Sequence, residues 1–550
     1  MTKREEQTAT AAAVDAAPEQ PEVLRLMSLD TTPWYQKPNL RVLYLFLVPA
    51  CIGVEMTTGY DGSILNGLQA VQAWQDYFDE PKGALLGILG AAYNLGGLFS
   101  LPFVPWFNDR FGRKHSITFG SCVLVVGAIL QATSTHIGMF MAARLLLGLG
   151  IPFSVSGASQ LIAELSRPRE RGVITGLFNA SWASGAILAA GVTLGHYHIN
   201  GNQAWRVPSA LQALPASLQL LSIWFIPESP RWLISKDRQE EAFRVLVKYH
   251  GEGDERDAFV DAEFSEIAAQ VRLEMENSKR TWAELLSTDG NRRRVLIACC
   301  VGVFSQWSGN GLISYYLAKT LATIGITDRR TQNIMNLSLT CWNFLTGIAG
   351  SFATRLLRRR VQYLTAFASM AVIFAVWTGV GGHYAESRAP GTAEAVIVMI
   401  FLYEAAYHLM HPLAYVFITE VFPFVLRAKG VATLQFFTRG STAFNTFVNP
   451  VGLEDLGWKF YLVYAVWLWC ETAIIYFLYP ETKGPTLEEL ACLFDDDKPA
   501  AVQTKRAGDP QTGTEERHSV ALATVRIGER LTSGGAGCAP VHGTLDPGKR

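Results

Sequence analysis

Inside the apolar run LYLFLVPACIGVEMTTGYDGSILNG stands a carboxylate, Asp61. A charge at bilayer depth costs at least about 2.5–3.5 kcal/mol even on the lenient insertion scale, so Asp61 is expected to face a cavity and to serve a function. Other polar groups recur inside apolar runs. Arg144 lies in one of them. Gln306 and Asn310 stand four residues apart, on one side of a helix. Tyr403, Tyr407, His411 and Tyr415 follow in steps of four and form one polar-aromatic stripe. Three further intramembrane charges, Glu55, Glu404 and Arg439, either pair with one another or reach a cavity. These groups suit ligand and proton handling, not bond cleavage. P-loop, GxSxG and HExxH patterns are missing, and the notable polar groups all sit in spans, so no enzyme is expected. The pairs His408/His411 and His196/His198 lack a carboxylate at ligand spacing, so neither a metal nor another cofactor is expected.

The elements that must position these groups are membrane helices. The chain has 550 residues, of which 17% are charged and 49% hydrophobic, with 48 glycines, 14 tryptophans and 30 phenylalanines. Most of the charge is confined to residues 1–40, 231–293 and 485–550. Long Gly-rich apolar runs remain. Twelve segments of about 20 apolar residues qualify as spans: 42–63, 83–105, 116–134, 138–160, 173–193, 207–226, 295–317, 333–356, 361–381, 395–418, 430–452 and 458–479. The fold class is therefore all-α membrane protein, twelve transmembrane helices in two pseudo-symmetric six-helix bundles. The expected organisation is an N-terminal tail (1–41), a first bundle (42–226), a linker with short amphipathic helices (227–294), a second bundle (295–484) and a largely disordered tail (485–550). The N-terminus lacks the apolar core of a secretory signal. The eight cysteines show no CxxC spacing and read as small hydrophobes. A net charge of −1 gives no reason to expect nucleic acid.

Basic residues cluster on alternate loops: Arg110, Arg113 and Lys114; Arg167, Arg169 and Arg171; Arg355 and Arg358 to Arg360; Arg427 and Lys429. The positive-inside bias puts both termini and the linker in the cytoplasm, with Arg329 and Arg330 as the exception. The halves also repeat. Glu164 precedes Arg171 by seven residues and Glu420 precedes Arg427 by seven; PES at 227–229 and PET at 480–482 close the sixth and twelfth spans. Such a repeat implies a pseudo-twofold axis along the membrane normal, with a substrate site between the halves near mid-membrane. A monomer is expected, since no additional interface is visible.

GYD at 59–61, DRFGRK at 109–114, Arg144 with Gly148 and Gly150, ERG at 170–172, PESPRWL at 227–233, GNGLISYY at 309–316, EVFP at 420–423 with Arg427, and PETKGPTLEE at 480–489 together resemble the sugar porter family of the major facilitator superfamily. The resemblance covers roughly residues 42–490, and GYDGSILNGLQ, QWSGNGLISYYL and TRGSTAFNTFVNP look more like its fungal lactose-permease branch. It implies a plasma-membrane carrier that moves a sugar, a disaccharide such as lactose or cellobiose or else a hexose, by alternating access with proton symport. Another polar metabolite, such as a sugar acid or polyol, or a non-transporting sugar sensor, is the alternative.

Residue by residue, the resemblance implies that Asp109, Arg110, Arg113, Glu164, Arg171, Glu228, Arg231, Arg358, Glu420 and Arg427 form ion pairs that lock the halves in the outward-open state. Simple positive-inside anchoring is the competing reading of the arginines. Thr354 and Leu357 depart from the family acid and glycine in the second copy. Asn179, Gln306, Asn310, Tyr315, Tyr407, His411 and Tyr415 are implied to bind substrate. An amide offers both donors and acceptors to vicinal hydroxyls; helix–helix hydrogen bonding and aromatic packing are the alternatives. Ser305 and Gly311 replace a family glutamine and asparagine, and Met410, His411 and Tyr415 replace tryptophan, glycine and tryptophan. Asp61 facing Arg144 is implied to couple the proton, a static ion pair being the other reading.

Overall fold

In a bilayer every backbone N–H and C=O must find its partner within the protein, and long apolar runs meet that demand as helices. The computed structural model describes residues 32–199, 201–277, 282–388, 390–423 and 426–483, together with Val23, Arg25, Leu26 and Phe494. The expected disordered tail, 485–550, apart from Phe494, and most of the N-terminal tail therefore fall outside the described residues.

The first half comprises α1 (Pro38–Leu68), α2 (Gly83–Ser100, continued by Phe103–Phe111), α3 (Arg113–Ala132), α4 (Ile137–Leu165), α5 (Pro168–His196) and α6 (Gln203–Leu211 with Ala213–Ser222). The second comprises α7 (Asp289–Trp307, then Asn310–Ser314), α8 (Arg329–Leu356), α9 (Arg359–Ser387), α10 (Pro390–Met410 with Leu413–Val421), α11 (Arg427–Leu456) and α12 (Phe460–Leu478). Among the described residues, eight helical stretches are long and apolar enough to cross a membrane, one of which, Lys429–Leu478, holds both α11 and α12. The other three helices are interrupted or polar. α6 breaks at Gln212. α7 opens on Arg292, Arg293 and Arg294 and breaks at Gly309, and α8 carries Gln332, Asn333, Asn336 and Asn343.

Packing repeats with a shift of six helices. α1 lies on α5 as α7 lies on α11; α3 packs on α4 and α6 as α9 packs on α10 and α12; α2 meets α4 as α8 meets α10. Across the halves, α2 packs on α11 and α5 on α8, which are again symmetry equivalents. The α1–α5 seam needs glycine: a Cβ on Gly59 would run into the Trp182 carbonyl, and one on Gly185 into that of Met56. Between the halves, helices Gln239–Tyr249 and Ala258–Asn277 share a small core of Trp232, Leu246, Val260 and Ile267. Buried His250 pins that core to α4, 2.6 Å from Glu263 and 3.2 Å from the Leu165 carbonyl.

Candidate functional site

Three polar layers run along the seam between the halves. The first is at the end where the basic loops cluster. Arg113, the first residue of α3, donates to Glu164 through Nε and Nη2, each at 3.2 Å, and the Ser229 hydroxyl donates to the same carboxylate. Glu228 accepts from the free amides of Arg113 and Lys114 at 3.1 Å, so its charge meets the positive end of α3. Burial pushes the Glu228 carboxyl above its ordinary value, and those amides oppose the shift. The second half repeats the pattern. Arg359 donates to Glu420 at 3.1 Å, Thr482 donates to Glu420 at 2.5 Å, and Glu481 accepts from the amides of Arg359 and Arg360 at 2.9 and 3.2 Å. Arg359 thus holds Glu420, one residue beyond the expected Arg358, which is exposed at the N-cap of α9. Helix starts set this register: Gly112 precedes α3 as Arg358 precedes α9. Asp109 and Arg110 are exposed, and the Asp109 carbonyl accepts from the Trp232 indole at 3.1 Å. Arg231 turns to the linker helix, donating to Gln270 at 2.6 Å. Half-buried Arg171 is within electrostatic reach of Glu263 and Glu164, and Arg427 begins α11.

The second layer, at the opposite end, ties the halves directly. Asn66 of α1 donates to Asn336 of α8 at 2.9 Å and accepts from the Leu317 amide at 3.1 Å. Gln69 donates to the Tyr315 carbonyl at 2.7 Å, while Arg329 reaches the Gln69 carbonyl at 3.2 Å and Gln72 at 3.0 Å. Arg329, the outlier of the charge pattern, is thus a link between the halves. The sequence carried no reading of this tie, because each bond joins residues more than 240 positions apart.

The third layer lies at mid-membrane. Asp61 is fully buried and Arg144 is 2% exposed. The structure brings them together through the main chain: Arg144 Nη1 donates to the Asp61 carbonyl at 2.9 Å, and its guanidinium sits 4.9 Å from the Tyr93 ring centroid. Both Asp61 carboxyl oxygens lack a hydrogen-bond partner. In the second half α7 breaks at Gly309, which adopts φ +103°. The break frees carbonyls that neighbours then satisfy. Tyr407 donates to Ser305 at 3.0 Å, Tyr403 to Ser308 at 2.9 Å, and Asn445 to Gln306 at 2.6 Å. Tyr407, expected on the substrate face, therefore buttresses α7. Gln306 and Asn310 are half-buried beside it, the Asn310 carbonyl oxygen accepting from Ser314 at 2.8 Å. Asn179, His411 and Tyr415 are exposed, Tyr415 accepting from Gln435. Polar side chains exposed at this depth would find no partner in lipid. Tyr315 joins the two sets: it is within electrostatic reach of Arg144 and of Arg439, and Tyr407 neighbours both Tyr315 and Asn310.

Two mid-membrane features, Glu471 and Tyr93, escaped sequence reasoning. Glu471 of α12 is fully buried with both carboxyl oxygens unpartnered; its place in YAVWLWCETAIIYFL was the available signal. Tyr93 stacks against Arg144. Of the three charges expected to pair or to reach a cavity, Arg439 is within electrostatic reach of Glu55, Tyr93 and Tyr415, while fully buried Glu404 lies 3.6 Å from His408. Among the described residues, no group of three or more His, Cys, Asp or Glu side chains could hold a metal ion.

Residues 46–494 match the family model described as "Sugar (and other) transporter". The MFS-type transporter criB of Aspergillus cristatus is 29% identical over 450 residues, covering 80% of this chain and 90% of that protein. The high-affinity glucose transporter of Kluyveromyces lactis is 28% identical over 504 residues, covering 87% and 90%. Among solved structures, the inward-open xylose transporter XylE from E. coli superposes with a TM-score of 0.68 at 19% identity, covering 82% of this chain and 100% of that one.

Proposed function

The chain belongs to the sugar porter family of the major facilitator superfamily, and from that premise we propose that it is a proton-coupled sugar carrier of the plasma membrane working by alternating access. The observation that carries the reading is the pairing, across one seam, of the buried and unpartnered Asp61 carboxyl beside Arg144 with the half-buried amides of Gln306 and Asn310. An unpaired buried carboxylate is costly, and it is relieved either by a proton or by an approaching guanidinium. A shift of α4 against α1 inside the first half, accompanying the rocking of the halves, would exchange one form of relief for the other. The amides accept and donate to sugar hydroxyls without adding charge. Asn179, His411 and Tyr415 complete the lining, and their departures from the hexose-carrier residues favour a substrate of disaccharide size.

The Lys and Arg distribution supports a cytoplasmic basic end, linker and termini. The halves are tied at the other end by Asn66, Gln69 and Arg329, and each basic-end cluster closes within its own half, which supports an inward-facing state. The same clusters would exchange partners across the seam when the carrier opens outward. Purified protein in proteoliposomes tests the reading. With an inward proton gradient, uphill uptake of at least one mono- or disaccharide is expected. Gradient-independent uptake would remove proton coupling, and failure across the whole sugar panel would remove the sugar.

A further inference from the structure

Among the described residues, Arg439 is a cation in the seam without an acceptor. Arg439 belongs to α11, yet its guanidinium crosses to the other half, with Nη1 only 2.8 Å from where a Cβ on Gly97 of α2 would stand. Its Nε is buried without a partner, and among the described residues Arg439 makes no hydrogen bond or ion pair. Glu55 of α1 is within electrostatic reach, but no ion pair joins them. Arg144 differs, since the Asp61 carbonyl and the Tyr93 ring engage it. An unpaired guanidinium at this depth is expensive, so its acceptor is expected to come with the cargo. Five donors in a planar fork match a carboxylate better than a hydroxyl. Tyr93, Tyr315 and Tyr415, all within electrostatic reach of Arg439, supply phenols for the hydroxyls that accompany that carboxylate.

We propose that Arg439 anchors a carboxylate on the transported molecule, so that the preferred substrate is a polyhydroxylated monoanion of the sugar-acid class. This rests on the carrier reading above and narrows its substrate. Charge balance then gives a signature independent of any variant. A monoanion entering with one proton carries no net charge, whereas a neutral sugar entering with one proton carries one.

The test uses the full chain in proteoliposomes, with a labelled aldonate and its parent aldose as probes, a fixed proton gradient, and the membrane potential clamped at zero or at about 100 mV, inside negative. Aldonate accumulation is expected to be the same at both potentials, where proton-coupled aldose accumulation would rise by up to about fiftyfold. Arg439→Gln is expected to lower the aldonate-to-aldose uptake ratio roughly tenfold or more, with Arg439→Lys in between. Glu55→Gln, which removes the neighbouring negative charge, is expected to raise that ratio. Uptake of aldose with no aldonate uptake, or an equal ratio in wild type and Arg439→Gln, overturns the anchor and leaves the carrier standing. Uptake of neither probe, nor of any other sugar, removes both.

Discussion

In the first half Arg113 grips Glu164 while Glu228 receives the amides that begin α3; in the second, Arg359 grips Glu420 while Glu481 receives those that begin α9. Ser229 and Thr482 complete the two clusters with a hydroxyl on the same carboxylate. At mid-membrane the copies part. α1 continues as helix through Asp61, which has no donor, whereas α7 breaks at Gly309 and is braced by Tyr403, Tyr407 and Asn445. Repetition is kept where two rigid bodies must carry equivalent handles. It is lost where the chemistry divides, with the titrating carboxyl in one half and the broken helix that presents amides in the other.

The largest effect is expected from Asp61→Asn, which removes the proton site and leaves the amides. Accumulation of a neutral sugar driven by about 100 mV, up to roughly fiftyfold, should fall to equilibrium, while its exchange at equal concentrations continues. Accumulation that survives would place coupling elsewhere, with Glu404 and Glu471 the next buried carboxyls to substitute. The mirrored clusters come next. Glu164→Ala and Glu420→Ala each strip a largely buried arginine of its partner and should lower stability by about 1.5–3 kcal/mol, read from thermal unfolding in detergent. Equal losses sharpen the mirror, and a large inequality breaks it.

A smaller change should follow Arg329→Gln, which removes a charged link at the tie. A population shift of about 1 kcal/mol, near fivefold, should appear as altered thiol labelling of a cysteine placed at Asn179. Smallest is Tyr407→Phe. Losing one neutral hydrogen bond to the Ser305 carbonyl should cost about 0.5–1.5 kcal/mol of stability and change KM little, whereas Gln306→Ala should raise KM and leave stability nearly intact. The opposite pattern would exchange brace and lining.

The sequence exposed much of this, and the omissions have physical causes. Spans were legible because crossing hydrocarbon demands apolar length, and the mirrored Glu164 and Glu420 because each stands before a proline- or arginine-bearing turn. Asp61 was legible because a carboxylate in an apolar run needs a reason. The Arg358 register was missed by one residue because identity to DRFGRK was counted from Thr354, while the operative frame is where each helix begins. Tyr407 was read by stripe periodicity, which names the helix face but not the broken α7 that the face meets. Arg439 was legible as a charge within a span, but its approach to Gly97 and the Asn66–Asn336 tie join distant segments, and local pattern carries no trace of those.

Rocking about a central seam requires the two ends to move oppositely. Spin labels on cysteines at Arg169 and Leu356 report the basic end, and at Asp79 and Arg330 the opposite end, with exposed Cys122 and Cys470 replaced by serine. Pulsed EPR distances in proteoliposomes, recorded with and without substrate and a proton gradient, should show one pair shortening as the other lengthens. Both distances unchanged, or both moving in the same sense, would contradict a carrier built from two rocking halves.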